Sequence, residues 1–242
     1  AGYVDFYTLD ENSYATSYNG EEVIASMVSW VLQEEHKSVY LTLYHGEKID
    51  SAFYSLLQCA GFYVETLDLR TKDVPDDAAA VIISNPVKDF EKAAEGSGLR
   101  TEIEHLEHYL AGGGKLYAAL DPYAGRLPVL ETFLAGYGIR VSTTGNENRT
   151  LANIVKDVND AITTDGFTLV ASFADNDLAS RLKSRATQYG GRVVLRDVAA
   201  LELSGDAVPL LHSSSSSVTE AGGVRTSTGG NYTLAASAPV PN

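Results

Sequence analysis

Between residues 38 and 141 short apolar runs alternate with stretches of helical periodicity, and this alternation constrains the fold more than any other feature. SVYLTL, YVETLDL, AAVIIS and KLYAAL are the apolar runs. The first, Val39 to Tyr44, shows little polar alternation, as expected of a strand covered on both faces. Strands and helices in turn predict an α/β fold with an open, mainly parallel sheet. Such a sheet presents ligands to the carboxyl ends of its strands. The polar residues that fall there are His45, Glu47, Asn85 and Asp121. They are the candidate ligand-binding residues.

The pattern predicts a strand at 3–9 and a helix running to about 33, opened by a capping-box pair, Asn19 and Glu22, with Val23, Met27, Val28 and Val31 on one face. Strands follow at 39–44, 63–69, 79–84, 115–120 and 139–141. Helices are expected around Ile49 to Leu57, from Thr101 to Leu110 and from Leu127 to Tyr137. Residues 1–142 read as the α/β core, including the N-terminal strand and helix. Residues 143–242 read as a smaller C-terminal α/β segment that completes or packs on it. In that segment Leu151, Ile154, Val155, Val158 and Ile162 recur with a helical period. A strand at 167–173, a helix over Leu178, Leu182 and Ala186, and strands near 192–196, 207–212 and 231–237 complete the expectation. Residues 213–217 and 222–230 read as exposed turn or loop.

The 242 residues carry a net charge of −14 and 44% hydrophobic residues. That affords a sizeable core and excludes wholesale disorder. The acidity disfavours nucleic acid, whose phosphates it repels, and disfavours direct docking on anionic lipid heads. The one cysteine, Cys59, excludes an intrachain disulfide and is expected to be a buried thiol on a helix. The first residues are strand-like without a Met, and the chain closes just after a strand, so a domain of a longer protein is expected.

Several motifs are weaker than they look. GGGK at 112–115 follows a helix and precedes a strand, the reverse of a phosphate loop, and so reads as a helix stop. The serine run has no GxSxG elbow. His105 and His108 share a helix face with Glu104 and Glu107 nearby, which reads as a solvated face before a zinc site. No metal and no cofactor is expected. His45-Gly46-Glu47 sits at a strand-to-helix turn, where His45 can donate to a ligand, act as a base or satisfy a loop carbonyl. Glu47 suits a helix start. Asp121 and Asn85, each followed by Pro, can orient a ligand or cap the chain that follows.

Taken in order, VYLTLYHGE, GFYVETLDL, VPDDAAAVIISNPVKDF, EIEHLEHYLAGGGKLYAALDP and LETFLAGYGIRV resemble the extracytoplasmic domain of the gliding-motility-type ABC transporter auxiliary proteins. SFADNDLASRL, RVVLRDVAALEL, VPLLHSSSSS and GNYTLAASA extend the resemblance over nearly the whole chain. The family's first strand ends in Gly-His-Gly-Glu; here Tyr44 stands at the first Gly, while His45, Gly46 and Glu47 are kept. The resemblance implies a flavodoxin-like, class I glutamine-amidotransferase-like fold. It also implies a bacterial, membrane-anchored parent with flanking spans, facing outward from the cell membrane beside a permease and an ATPase. The amidotransferase elbow cysteine is replaced here by Asp121-Pro122-Tyr123. Two functional readings follow. One is a non-catalytic binding or interaction domain for a small ligand or cell-envelope partner. The other is a hydrolase of sugars or acyl groups using His45 and the carboxylates.

Overall fold

The computed structural model describes residues 7–9, 14–18, 20–32, 36–91, 100–146, 149–157, 159, 161–188 and 190–240. The chain is an α/β protein that divides into two compact units, 1–85 with 104–119, and 86–103 with 120–242.

The first unit contains β1 (Tyr7–Leu9), β2 (Ala15–Tyr18), α1 (Gly20–Leu32), β3 (Ser38–Thr42), α2 (Ser51–Cys59), β4 (Tyr63–Leu67), β5 (Ala78–Ser84), most of α3 (Glu102–Ala111) and β6 (Leu116–Ala119). Four strands form an all-parallel sheet in the order β4-β3-β5-β6. The strand order reverses between β3 and β5, which places the sheet's topological switch point there. Val39, Leu41 and Ile82 pack with Ile49, Phe53, Tyr54 and Leu57 on one face. Full burial of Leu41, Val81 and Ile83 stabilises by roughly 1.5–3 kcal/mol each. Asp50 caps α2, accepting the N–H groups of Ala52 at 2.8 Å and Phe53 at 3.2 Å. The glycine run stops α3 as expected, with Gly113 N–H donating to Leu110 O and Gly114 N–H to Tyr109 O.

Two expectations in this unit change. Cys59 is exposed, because α2 turns only Phe53, Tyr54 and Leu57 inward and the last turn faces water. Met27, Val28 and Val31, assigned to a buried helix face, are all more than half exposed. Residues 3–6 of the first expected strand and the Asn19/Glu22 capping pair lie outside the described residues and side chains.

The second unit contains α4 (Pro128–Gly136), β7 (Ile139–Val141), β8 (Thr143–Asn146), β9 (Arg149–Ala152), β10 (Ile154–Lys156), β11 (Thr168–Phe173), α5 (Asp177–Gln188), β12 (Val193–Arg196), β13 (Leu201–Leu203), β14 (Val208–His212), β15 (Val218–Ala221), β16 (Val224–Arg225) and β17 (Thr233–Ser237). Its sheets are antiparallel: six strands in the order β12-β11-β14-β17-β13-β7, three in the order β10-β15-β16, and the hairpin β8-β9. Parallel pairing therefore stops at β6. The core gathers Val155, Leu169, Ala171, Ala200 and Leu234. Asp89 anchors α4, its carboxylate accepting the N–H groups of Val129 at 2.8 Å and Leu130 at 3.1 Å, where the helix dipole favours negative charge.

The helix expected from Leu151 is not formed; Arg149–Ala152 and Ile154–Lys156 are strands. Ile154 and Val155 are β-branched and both buried, and such residues favour strands. Asn153, between the two strands, is also buried and spends its side chain sideways, on Thr144, Ser142 and Thr226. The 222–230 loop likewise begins as a hairpin. Gly222 and Gly223 sit at φ 59° and 80° between the paired residues Ala221 and Val224, the backbone that a two-residue primed turn requires.

Candidate functional site

In the first unit the candidate site is the turn after β3. Thr42 ends the strand fully buried, and Tyr44 and Gly46 both take positive φ, 79° and 74°. Gly46 has no Cβ to oppose that bend, whereas Tyr44 has one. The guanidinium of Arg70 lies 3.8 Å from the centre of the Tyr44 ring. Between these two bends His45 turns inward to 3% exposure. Its Nδ1 lies 2.9 Å from Glu47 Oε1, and its backbone N–H donates to Glu47 Oε2 at 2.8 Å. Burial by itself pushes the Glu47 carboxyl up. Hydrogen bonds from the His45 ring, its own N–H, the Thr42 hydroxyl and the His45 N–H outweigh that and hold it below the ordinary carboxylate value. As a carboxylate, Glu47 accepts a hydrogen bond from Nδ1–H and so fixes the ring's orientation.

Asn85 follows β5 at φ 49°, and its N–H donates to Ala119 O at 2.8 Å. The preceding residue ties the turn down. Ser84 O accepts the Lys48 N–H at 3.1 Å, and Ser84 Oγ donates to Lys48 O at 2.8 Å. The mouth of the switch point between β3 and β5 is thus bridged by the chain's own backbone. His45 and Glu47 are brought together, and Asn85 lies beside the strand end to which their turn is pinned.

Asp121 belongs to the second unit. Its Oδ1 accepts the Tyr123 N–H at 2.9 Å and its backbone oxygen accepts the Ala124 N–H at 3.0 Å, so it caps its own turn. That turn forms one wall of a cleft of about 270 Å³. Leu127, Leu130, Val141, Leu151, Ile154 and Phe167 give the cleft its apolar lining. Polar groups of Asp121, Tyr123, Arg126, Glu131, Thr150 and Glu220 complete it. Arg126 and Glu131 hold each other through Nε contacts at 2.9 and 2.7 Å. Burial opposes the charge on Glu131, but Arg126 and the Leu127 N–H keep its carboxyl below the usual value. Glu220 pairs with Lys156 at 3.0 Å, and Tyr123 OH donates to Asp197 at 3.2 Å. An apolar interior with a few fixed polar groups is the ordinary make-up of a small-ligand site. Sequence reasoning found Asp121 but not the cleft.

A second feature was missed outright. The serine run is not a loose exposed turn: Ser213 and Ser217 are buried. Ser214, Ser216 and Ser217 turn their hydroxyls to one carboxylate, Asp157, which is 2% exposed. The Asn159 N–H adds a further bond at 3.0 Å. Hydroxyls compensate a buried carboxylate by hydrogen bonding, so the run is a built support for the segment after β10.

His105 pairs with Asp73 at 2.6 Å, while His108 is exposed. Among the described residues no group of three or more His, Cys, Asp or Glu side chains is placed to hold a metal ion. Among them, too, no helix is long and apolar enough to cross a membrane.

No family model and no curated protein matches the chain. Among solved structures the fold is similar to one titled mmIFT52 N-terminal domain. The TM-score is 0.53 and the identity 19%, with 75% of each chain covered. At that identity the likeness concerns the fold alone.

Proposed function

We propose that this chain is a non-catalytic binding and interaction domain of an ABC-type transport auxiliary protein. In this reading it faces outward from the cell membrane, is anchored by flanking spans of its parent and works beside a permease and an ATPase. Its parallel sheet is read as flavodoxin-like. The resemblance of ordered segments along the chain supports the transport assignment. The observation that carries the binding assignment is the cleft of about 270 Å³, apolar inside and edged with polar groups.

The hydrolase reading has less support. A general acid or base must reach its substrate, and His45 is buried with its Nδ1 engaged by Glu47. Both Glu47 oxygens are engaged by His45. The test is to tether the chain as bait in detergent-solubilised membranes of its source. Co-recovery of an ABC permease with its ATPase is the expected result. Turnover of glycoside or ester substrates that disappears in His45→Ala, with no transporter subunit recovered, overturns the proposal.

A further inference from the structure

The chain is acidic overall, with 32 Asp and Glu against 18 Lys and Arg, but one stretch inverts that balance. After Asp177 in the first turn of α5, residues 178–196 contain Arg181, Lys183, Arg185, Arg192 and Arg196 and no acidic residue. Arg196 is paired, with Asp165 and Asp197. Arg181, Lys183, Arg185 and Arg192 are exposed and make no ion pair among the described residues.

The element carrying them is firmly seated. Asn176 caps α5 through its Oδ1 and the Ala179 N–H at 2.9 Å, and its amide donates to Pro209 O on β14 at 2.7 Å. Ala179 is fully buried, which fixes the inward face. Leu178, Arg181, Leu182 and Arg185 then follow at i, i+3, i+4 and i+7, one continuous stripe along the flank of the helix. The leucines are 43% and 44% exposed. Leucines interleaved with arginines on one exposed stripe match the interfacial region of a bilayer, where the apolar groups enter the acyl boundary and the guanidinium groups stay with the phosphates.

We propose that the flank of α5 docks on an anionic phospholipid surface. The net charge of the whole chain does not prevent this. At physiological salt, fields are screened over about 8 Å, so the lipid responds to the stripe and not to distant carboxylates. Each basic residue near such a surface favours binding by about fivefold.

The test is co-sedimentation of the whole 242-residue chain with vesicles of phosphatidylcholine, with and without phosphatidylglycerol. Binding is expected only with phosphatidylglycerol, and is expected to fall as salt rises from about 0.05 M to about 0.5 M. The double variant Arg181→Glu, Arg185→Glu is expected to lose about 25-fold or more in partition while remaining folded, its melting temperature lowered slightly because Arg185 lies in the last turn of α5. The double variant Leu178→Ser, Leu182→Ser is expected to lose roughly tenfold. Absence of binding to phosphatidylglycerol vesicles at low salt overturns the proposal, as does full binding by either variant. Retention on immobilised poly-glutamate without vesicle binding also overturns it, and assigns the stripe to an acidic protein partner.

Discussion

His45 and Glu47 close on each other across Gly46, ring nitrogen to carboxylate at 2.9 Å, with both side chains about 5% exposed or less. The pair is buried where a parallel sheet ordinarily offers a ligand site, and it is spent on holding its own turn. Removing one partner leaves the other desolvated. Glu47→Gln is expected to lower stability by about 1–3 kcal/mol. Because folding lowers the Glu47 pKa, its contribution is complete above the unfolded-state value and disappears as pH falls through the folded-state value. The gap between wild-type and Glu47→Gln urea midpoints should therefore hold steady from about pH 7 to about pH 5 and narrow as pH falls below about 4.3. A gap that is constant or widens toward acid contradicts this.

Tyr44 occupies a backbone conformation, φ 79°, that costs a side-chain-bearing residue roughly 1–2 kcal/mol. Its stacking under Arg70 returns about 0.5–1 kcal/mol. Tyr44→Gly is thus expected to be at least as stable as the parent. Tyr44→Ala keeps the strain and loses the stack, and is expected to be the least stable of the three. Urea midpoints order the series; an alanine variant more stable than the glycine variant rules out this account of the turn.

Asp157 gathers three serine hydroxyls and a backbone N–H. Asp157→Ala strands these donors in a buried site and is expected to cost about 3 kcal/mol or more. Ser216→Ala, at an exposed position, is expected to cost under about 1 kcal/mol. Equal losses for the two would mean that the carboxylate is not the centre of the cluster.

Cys59 is exposed at the end of α2. It should react with a maleimide in the native protein as fast as in the urea-unfolded chain, within a few fold. Labelling that waits for unfolding would restore the buried thiol expected from sequence.

The first unit was legible because parallel strands buried on both faces, such as SVYLT and AAVIIS, read as unbroken apolar runs. The pairing of His45 with Glu47 needs only a bend at Gly46, yet sequence reasoning gave Glu47 to the helix start, a role that Asp50 takes. Residues 149–156 misled because Leu151, Ile154 and Val155 satisfy a helical period, while Arg149–Ala152 pairs with the neighbouring β8 in a hairpin and Ile154–Lys156 is selected by the distant β15. The cleft draws on residues from Leu120 to Gly223, and Asp157 meets its serines 57 to 60 residues away. Only tertiary structure assembles such sets.

The most direct measurement is a thermal-shift screen with sugars, amino acids, peptides and nucleotides, run on the parent, Tyr123→Ala, Arg126→Ala and His45→Ala. Tyr123 and Arg126 line the cleft and are exposed, so their variants should remain folded. A ligand that raises the melting temperature of the parent and of His45→Ala, but not of the two cleft variants, is the expected result. A ligand whose effect survives both cleft variants and vanishes in His45→Ala, or one that is consumed during the assay, contradicts the account.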